Sequence, residues 1–204
     1  MLIRRMALSQ IGELPLGYRR CTYIESTRTQ WIDTEFYPNI GTKARVVFSP
    51  IQTNGIGFFG ARKDPNRFSC TTFSLGTSFA FSVSVGSWSG NKTKIKLGSI
   101  YDCVTENGVQ IINGAQYTEP TVSSLGDCGS FKLATLDMRG DVVTTNESNP
   151  NACRWFSVQL WDDGKLERNM IPALDTNGKP CMYDTISKQI FYNQGTGEFL
   201  YELA

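Results

Sequence analysis

The sequence predicts an all-β, antiparallel protein, and three observations carry that prediction. Apolar and β-branched residues recur in short alternating runs cut by Gly, Asn, Asp and Pro, the period-two pattern of strands. No long amphipathic helix can be drawn along the chain. Two Asn-Gly pairs, Asn107-Gly108 and Asn113-Gly114, bracket the run Val109-Gln110-Ile111-Ile112, and Asn-Gly favours the left-handed backbone that tight hairpins demand.

Taken in order, residues 42–49 are rich in β-branched and apolar side chains and are expected to form a strand ending at Pro50. Residues 55–61 read as a glycine-spaced apolar strand, and 67–85 as two more around Gly76. Residues 100–105, the turn Glu106-Asn107-Gly108, residues 109–112 and the turn Asn113-Gly114 predict a meander. Further strands are expected over 131–137 and 153–174, the latter turning at Asp162-Asp163-Gly164. Plain alternation there puts Phe156, Val158 and Leu160 on one face and Trp155, Ser157, Gln159 and Trp161 on the other. Residues 137–151, dominated by Asn, Thr, Ser, Asp and Gly, predict a long surface loop suited to variable contacts.

The 204 residues fit one domain, and a 40% hydrophobic, 12% aromatic content is ordinary for a globular chain able to bury a core. Twenty basic and nineteen acidic residues leave a net charge of +1, so the overall field attracts neither nucleic acid nor an acidic membrane. No apolar run reaches signal-peptide or transmembrane length, so a soluble protein is expected, one that reaches the outside of a cell by lysis or assembly. Residues 1–20 are read as an N-terminal segment and candidate docking arm, with Arg4 and Arg5 as its contacts, ahead of a single domain over 21–204. Solvated surface or a tail contacting a neighbour is preferred to a nucleic-acid arm for those arginines, because no long Lys/Arg run accompanies them.

Six cysteines, Cys21, Cys70, Cys103, Cys128, Cys153 and Cys181, stand at wide intervals with no CxxC pair, and a chain this long needs no staples, so they are expected to be buried small apolar residues. With no histidine in the chain, a Ser-His-Asp triad, a Cys-His pair and histidine-ligated zinc are excluded. No GxxxxGK[ST] or GxGxxG motif supports a phosphate cradle either. Sugar binding needs exposed rings to stack on apolar sugar faces, with polar groups to fix hydroxyls. Trp88, between glycines and serines in Gly86-Ser87-Trp88-Ser89-Gly90 and close to Asn91, suits that role. Trp155 and Trp161 are further candidates that would line a sheet face, with core packing as the competing reading.

The block Leu14-Pro15-Leu16-Gly17-Tyr18, followed by Tyr23-Ile24-Glu25-Ser26-Thr27 and Gln30-Trp31-Ile32-Asp33-Thr34, resembles the opening of concanavalin A-like, laminin-G-like jelly-roll domains found in gut bacteria and their phages. Trp161-Asp162-Asp163-Gly164-Lys165-Leu166, Ile171-Pro172-Ala173-Leu174, Tyr183-Asp184, Phe191-Tyr192-Asn193 and Gly195-Thr196-Gly197 resemble the same family's closing segments, in the same order. The resemblance implies a two-sheet antiparallel sandwich whose first and last strands lie side by side and cover two sheet edges. Phe191, Tyr192, Phe199, Leu200 and Tyr201 would then seal the core against Tyr23 and Ile24.

Glucanases share that sandwich and carry a Glu, an Asp and a Glu at alternating positions of one strand. The nearest run here, Trp31-Ile32-Asp33-Thr34-Glu35, has Trp31 where the nucleophile belongs, so no catalytic residue and no enzyme activity are expected. Calcium at a rim is a further implication, with Asp137, Asp141, Asp162 and Asp163 as the hard ligands at hand; a plain hairpin turn at Asp162-Asp163 is the competing reading, and no cofactor is required. The function expected from the resemblance is a non-enzymatic surface component of a virion or prophage particle, such as a capsid decoration, head fibre or tail module. Its partners would be other virion proteins or further copies of itself, and a glycan. The alternative is a bacterial carbohydrate-binding or adhesion module, at the cell surface or in the cytoplasm, and a glycoside hydrolase ranks third. Neither nucleic acid nor membrane insertion is expected.

Overall fold

The computed structural model describes residues 13–52, 57–63, 66–75, 78–86, 92–118, 120–135 and 151–204. Every regular element among them is a strand. The first half of the chain supplies β1 (Arg19–Ser26), β2 (Ile32–Asp33), β3 (Lys43–Gln52), β4 (Gly57–Lys63), β5 (Asn66–Leu75), β6 (Ser78–Val85) and β7 (Lys92–Lys94). A meander follows, β8 (Tyr101–Glu106), β9 (Val109–Ile112) and β10 (Ala115–Thr118), and then the short β11 (Lys132–Leu133). The last quarter holds β12 (Ala152–Asp162), β13 (Lys165–Leu174), β14 (Pro180–Asp184), β15 (Ile190–Phe191) and β16 (Leu200–Leu203).

These strands build two antiparallel sheets. The larger runs β10-β9-β8-β3-β12-β1-β13-β14-β15, with β16 added against β1; the smaller runs β2-β11-β4-β5-β6-β7. Alternation decides the faces. On β3, Ala44, Val46 and Phe48 are buried, while Lys43, Arg45 and Val47 are half-buried on the other side. Tyr101, Cys103 and Thr105 of the neighbouring β8 follow the same phase. The outer face of the large sheet is therefore polar and carries cross-strand ion pairs, Arg45 with Asp102 at 2.7 Å and Lys43 with Glu106 at 3.4 Å.

Between the sheets lies one aromatic core. Phe48 is its hub, with ring centroids 5.3 Å from Phe58, 5.5 Å from Phe59 and 5.8 Å from Trp155. Phe58 and Phe59 are consecutive, yet both are buried, because β4 slips register against β5 between Gly57 and Phe59.

Three expectations need correction, and two of them concern register. The strand over 42–49 does not end at Pro50 but runs on to Gln52; the proline, which cannot donate to a ladder, sits where β3 and β12 slip register at Ala152/Cys153. Strict alternation along β12 fails, because a second slip between Trp155 and Ser157 adds one residue. The core therefore takes Cys153, Trp155, Val158 and Leu160, and Phe156 turns to the other face, edge-on to Tyr23 at 5.9 Å. At the chain's end, Phe191 and Phe199 do enter the core, but Leu200 and Tyr201 are exposed.

The two ends are joined as the resemblance implies. β16 pairs with β1, Gln194 N–H donates to Trp31 O at 2.9 Å, and Thr196 N–H donates to Thr29 O at 3.0 Å. The Asn193 carboxamide oxygen accepts the N–H groups of Trp31 and Gly195, at 3.1 and 2.8 Å. Gly195 has to be glycine, since a Cβ there would lie 1.9 Å from Thr29 O. Within residues 1–20, Leu14 and Tyr18 pack on a second apolar cluster formed by Ile171, Ala173, Cys181 and Tyr183. That cluster covers the far side of β13 and β14, which explains why all five residues of β14 are buried.

Two aspartates organise the turns on either side of β14. Asp175 is buried; its Oδ1 accepts the N–H groups of Asn177 and Lys179 and its Oδ2 accepts the Tyr192 hydroxyl, each at 2.8 Å. The Lys179 N–H, then the Tyr192 hydroxyl, hold the Asp175 carboxyl below its ordinary 3.8. A carboxylate whose folded pKa is depressed stabilises the fold above the unfolded value and stops doing so as the pH falls. Asp175→Asn is therefore expected to cost about 1–2 kcal/mol at pH 7, and the difference from the native chain should shrink as the pH drops below 3.8, as read by urea unfolding at both pH values.

Candidate functional site

The β12–β13 hairpin turns through Asp163 and Gly164, at φ +44° and +80°, so both central residues adopt the left-handed backbone that a two-residue hairpin requires. A second loop, residues 38–42, is drawn against this tip. Asn39 closes that loop on itself: its side-chain oxygen accepts Gly41 N–H at 2.8 Å, and its own N–H donates to Thr42 Oγ1 at 2.8 Å. Its Nδ2 then donates to Asp162 Oδ1 and ties the two loops together. Gly41 lies under the Asp163 carboxylate so closely that a Cβ would fall 1.8 Å from Oδ1.

Trp161 stands beside this junction on the outer face of β12, half-buried, with Lys43 Nζ 5.8 Å from its ring centroid. Lys43 is also paired with Glu106. A partly exposed indole, two carboxylates, a carboxamide and an ammonium thus share one rim. The indole is partly exposed, and the Asp162 and Asp163 carboxylates and the Lys43 ammonium beside it are groups that hydroxyls can meet, while the Asn39 carboxamide is spent on its own loop and on Asp162 and serves to hold the rim together.

The other sequence candidates fall elsewhere. Trp155 is in the core, stacked on Phe48, and offers no face to solvent. Trp88, Asn91, Arg4 and Arg5 lie outside the described residues, as do Asp137, Asp141 and the other residues of the long loop up to 150. Asn151, at the end of that loop, is buried and donates its Nδ2 to Gly57 O at 2.9 Å. As calcium ligands, Asp162 and Asp163 have two carboxylates to offer, one of them held by Asn39; among the described residues no group of three or more His, Cys, Asp or Glu comes together.

The glucanase-like run lies on the short β2 and the turn that follows it. Asp33 Oδ1 accepts Glu35 N–H at 2.9 Å, and Glu35 has φ +53°, so the strand ends there and the two carboxylates do not alternate along it. Asp33 Oδ2 accepts the Ser130 hydroxyl at 2.8 Å and lies 3.5 Å from the buried Lys132 ammonium. Lys132 also donates to Ser130 Oγ at 2.7 Å. Sequence reading missed this Asp-Ser-Lys cluster because Asp33 and Ser130 are 97 residues apart, on segments that only the fold places side by side.

All six cysteines are buried and unpaired. Burial pushes the Cys21 thiol up to about 11 and Cys181 up to about 12, so both stay protonated at neutral pH and serve as packing. A shallow cleft of about 180 Å³ opens where the two ends of the chain meet, lined by Lys179, Asn193, Glu198 and Phe199 among others. Its carboxamide is spent on the turn: Asn193 Nδ2 donates to Gly197 O at 2.8 Å.

Two antiparallel sheets packed over one core, with the first and last strands paired within the larger sheet, define the class: a lectin-like β-sandwich, a jelly roll of the concanavalin A type. Among solved structures, the chain is similar to the native heptameric SAP-like pentraxin from Limulus polyphemus, at 11% identity over 90% of this chain and 96% of that one, with a TM-score of 0.54. At that identity the likeness speaks for the fold. No protein-family model matches the chain, and no curated protein does.

Proposed function

We propose that this protein is a non-enzymatic binding module that takes glycans at the Trp161 rim and is displayed on the surface of a virion or prophage particle. The observation that carries the binding reading is the rim itself, a partly exposed indole framed by Asp162, Asp163, Asn39 and Lys43 at one end of a lectin-like sandwich. Against catalysis stands the commitment of Asp33 to Ser130 and Lys132, which leaves the run Trp31–Glu35 without a carboxylate pair for acid and nucleophile.

Trp161→Ala tests the site. The ring lies on the outer face, so the variant should fold, and its affinity for any glycan scored on an array should fall at least tenfold, about 1.4 kcal/mol. An array with no hits, or hits that Trp161→Ala leaves unchanged, would end the binding reading. The particle reading is tested separately, by mass spectrometry of purified particles; if the chain is never detected there, an adhesion module of a bacterial cell surface is the better reading.

A further inference from the structure

Lysine is rarely buried, and among the described residues Lys132 is the one lysine that is. It stands on β11 directly opposite Asp33 of β2, and the residue opposite it on the other side, Gly60 of β4, brings no side chain. Thr34 N–H donates to Phe131 O at 3.0 Å, which makes the neighbouring pair of Asp33 and Lys132 a non-hydrogen-bonded one, the kind that brings opposite side chains closest. The Lys132 ammonium lies 3.5 Å from Asp33 Oδ2.

Ser130 joins the two groups in one direction. Lys132 Nζ donates to Ser130 Oγ at 2.7 Å and lies 3.5 Å from Ser130 O, and the Ser130 hydroxyl donates to Asp33 Oδ2 at 2.8 Å. Amine, hydroxyl and carboxyl therefore form a relay along which protons can pass from Lys132 to Asp33. Only 6% of the Lys132 side chain is exposed, and the cost of desolvating a buried ion pair is only partly returned by its attraction, whereas an amide carries no charge to desolvate. Two groups held about 3–3.5 Å apart also react as though at very high concentration, which favours a condensation that dilute groups in water do not undergo.

We propose that Lys132 and Asp33 form a modification site, at which Nζ and Cγ condense to an intramolecular amide that ties β11 to β2. Lys132 first passes one proton through Ser130 to Asp33 Oδ2, which leaves a neutral amine and a neutral carboxyl. Nζ then attacks Cγ; the C–N bond forms, the bond from Cγ to Oδ2 breaks, and a second amine proton follows the same path to the departing oxygen, which leaves as water. Asp33 Oδ1 becomes the amide oxygen, and the Glu35 N–H that it accepts at 2.9 Å steadies the charge developing there. The water has a way out, because the Asp33 side chain is 30% exposed. The link would close a loop of about 100 residues, the long kind whose closure most restricts an unfolded chain, and would fasten two strands of only two residues each. It does not depend on the glycan-binding reading.

Intact-mass spectrometry of the folded, purified chain tests the link. The native chain should be one water lighter than its sequence, whereas Lys132→Met, which keeps the stem and loses the nucleophile, and Asp33→Ala should both show their full sequence masses. A tryptic digest of the native chain should hold one branched peptide that joins the segments of Asp33 and Lys132 and is uncut after Lys132. Ser130→Ala, with the relay removed, should be obtained mostly unlinked and convert at least tenfold more slowly on standing. A native chain at its full sequence mass would mean an ion pair only and would overturn the inference. So would a water loss that persists in Lys132→Met, as dehydration at Asp163-Gly164 would, or a Ser130→Ala chain that is fully linked when freshly made.

Discussion

Trp155→Ala is expected to destabilise the protein by about 3–5 kcal/mol, the largest effect of any single substitution considered for this fold. Trp155 is completely buried, and its ring stacks on Phe48 at 5.8 Å with the planes 19° apart. The two residues are also directly opposite each other across the β3–β12 ladder, so stacking and strand pairing reinforce one another. Removing the indole leaves a cavity that cannot collapse, because Phe48 is also held by Phe58 and Phe59 from the facing sheet. For a domain of this size the melting temperature should fall by about 10 °C, measured by circular dichroism. Trp155→Phe should cost far less, about 1 kcal/mol. The indole Nε1 is buried and has no hydrogen-bond partner, so the smaller ring loses volume but also removes an unsatisfied donor.

Asp184→Ala is expected to cost about 3 kcal/mol, for an electrostatic reason. Asp184 is fully buried at the end of β14. Oδ1 accepts the N–H groups of Asn169 and Ile186, at 2.8 and 3.1 Å; Oδ2 accepts the Ser187 hydroxyl at 2.6 Å and its N–H at 3.3 Å. Arg168 Nε lies 3.7 Å from the same oxygen. Alanine would leave the buried Asn169 N–H unpaired, free the part-buried donors of Ile186 and Ser187, and leave the Arg168 charge without its carboxylate. Asp184→Asn keeps the shape but turns one acceptor into a donor facing Ser187, and should fall between, at about 1–2 kcal/mol. Urea unfolding with an unchanged m-value would identify both as losses of native stability. An Asp184→Ala chain as stable as the native one would remove the claim that this carboxylate organises the β14–β15 turn.

Turns were the most legible part of the sequence, because they depend on local backbone demands. Asn113-Gly114 and Asp163-Gly164 both take two consecutive left-handed residues, as their residue types favour. Faces were legible only where no bulge intervened. Alternation serves along β3 and β8, but it assigns Trp155 to the wrong side of β12, since the extra residue at Phe156 is a response to the partner strand and leaves no mark in the residue types. The candidate site divides in the same way. Trp161, Asp162 and Asp163 are contiguous and visible in the sequence, whereas Asn39, 123 residues from Asp162, joins them only because the loop at 38–42 is folded against the hairpin tip.

By itself, then, the sequence determined the all-β class, the positions of its tightest turns and the exclusion of histidine chemistry, because each follows from residue types acting over a few neighbours, while the meeting of its two ends was implied by the resemblance of its end segments to a known family. Tertiary structure alone decided that Trp155 is core while Trp161 is half-buried at a rim, and that Asp33 meets Ser130 and Lys132. Those outcomes depend on register and on contacts between residues far apart in the chain, and a one-residue slip is enough to exchange the two faces of a strand.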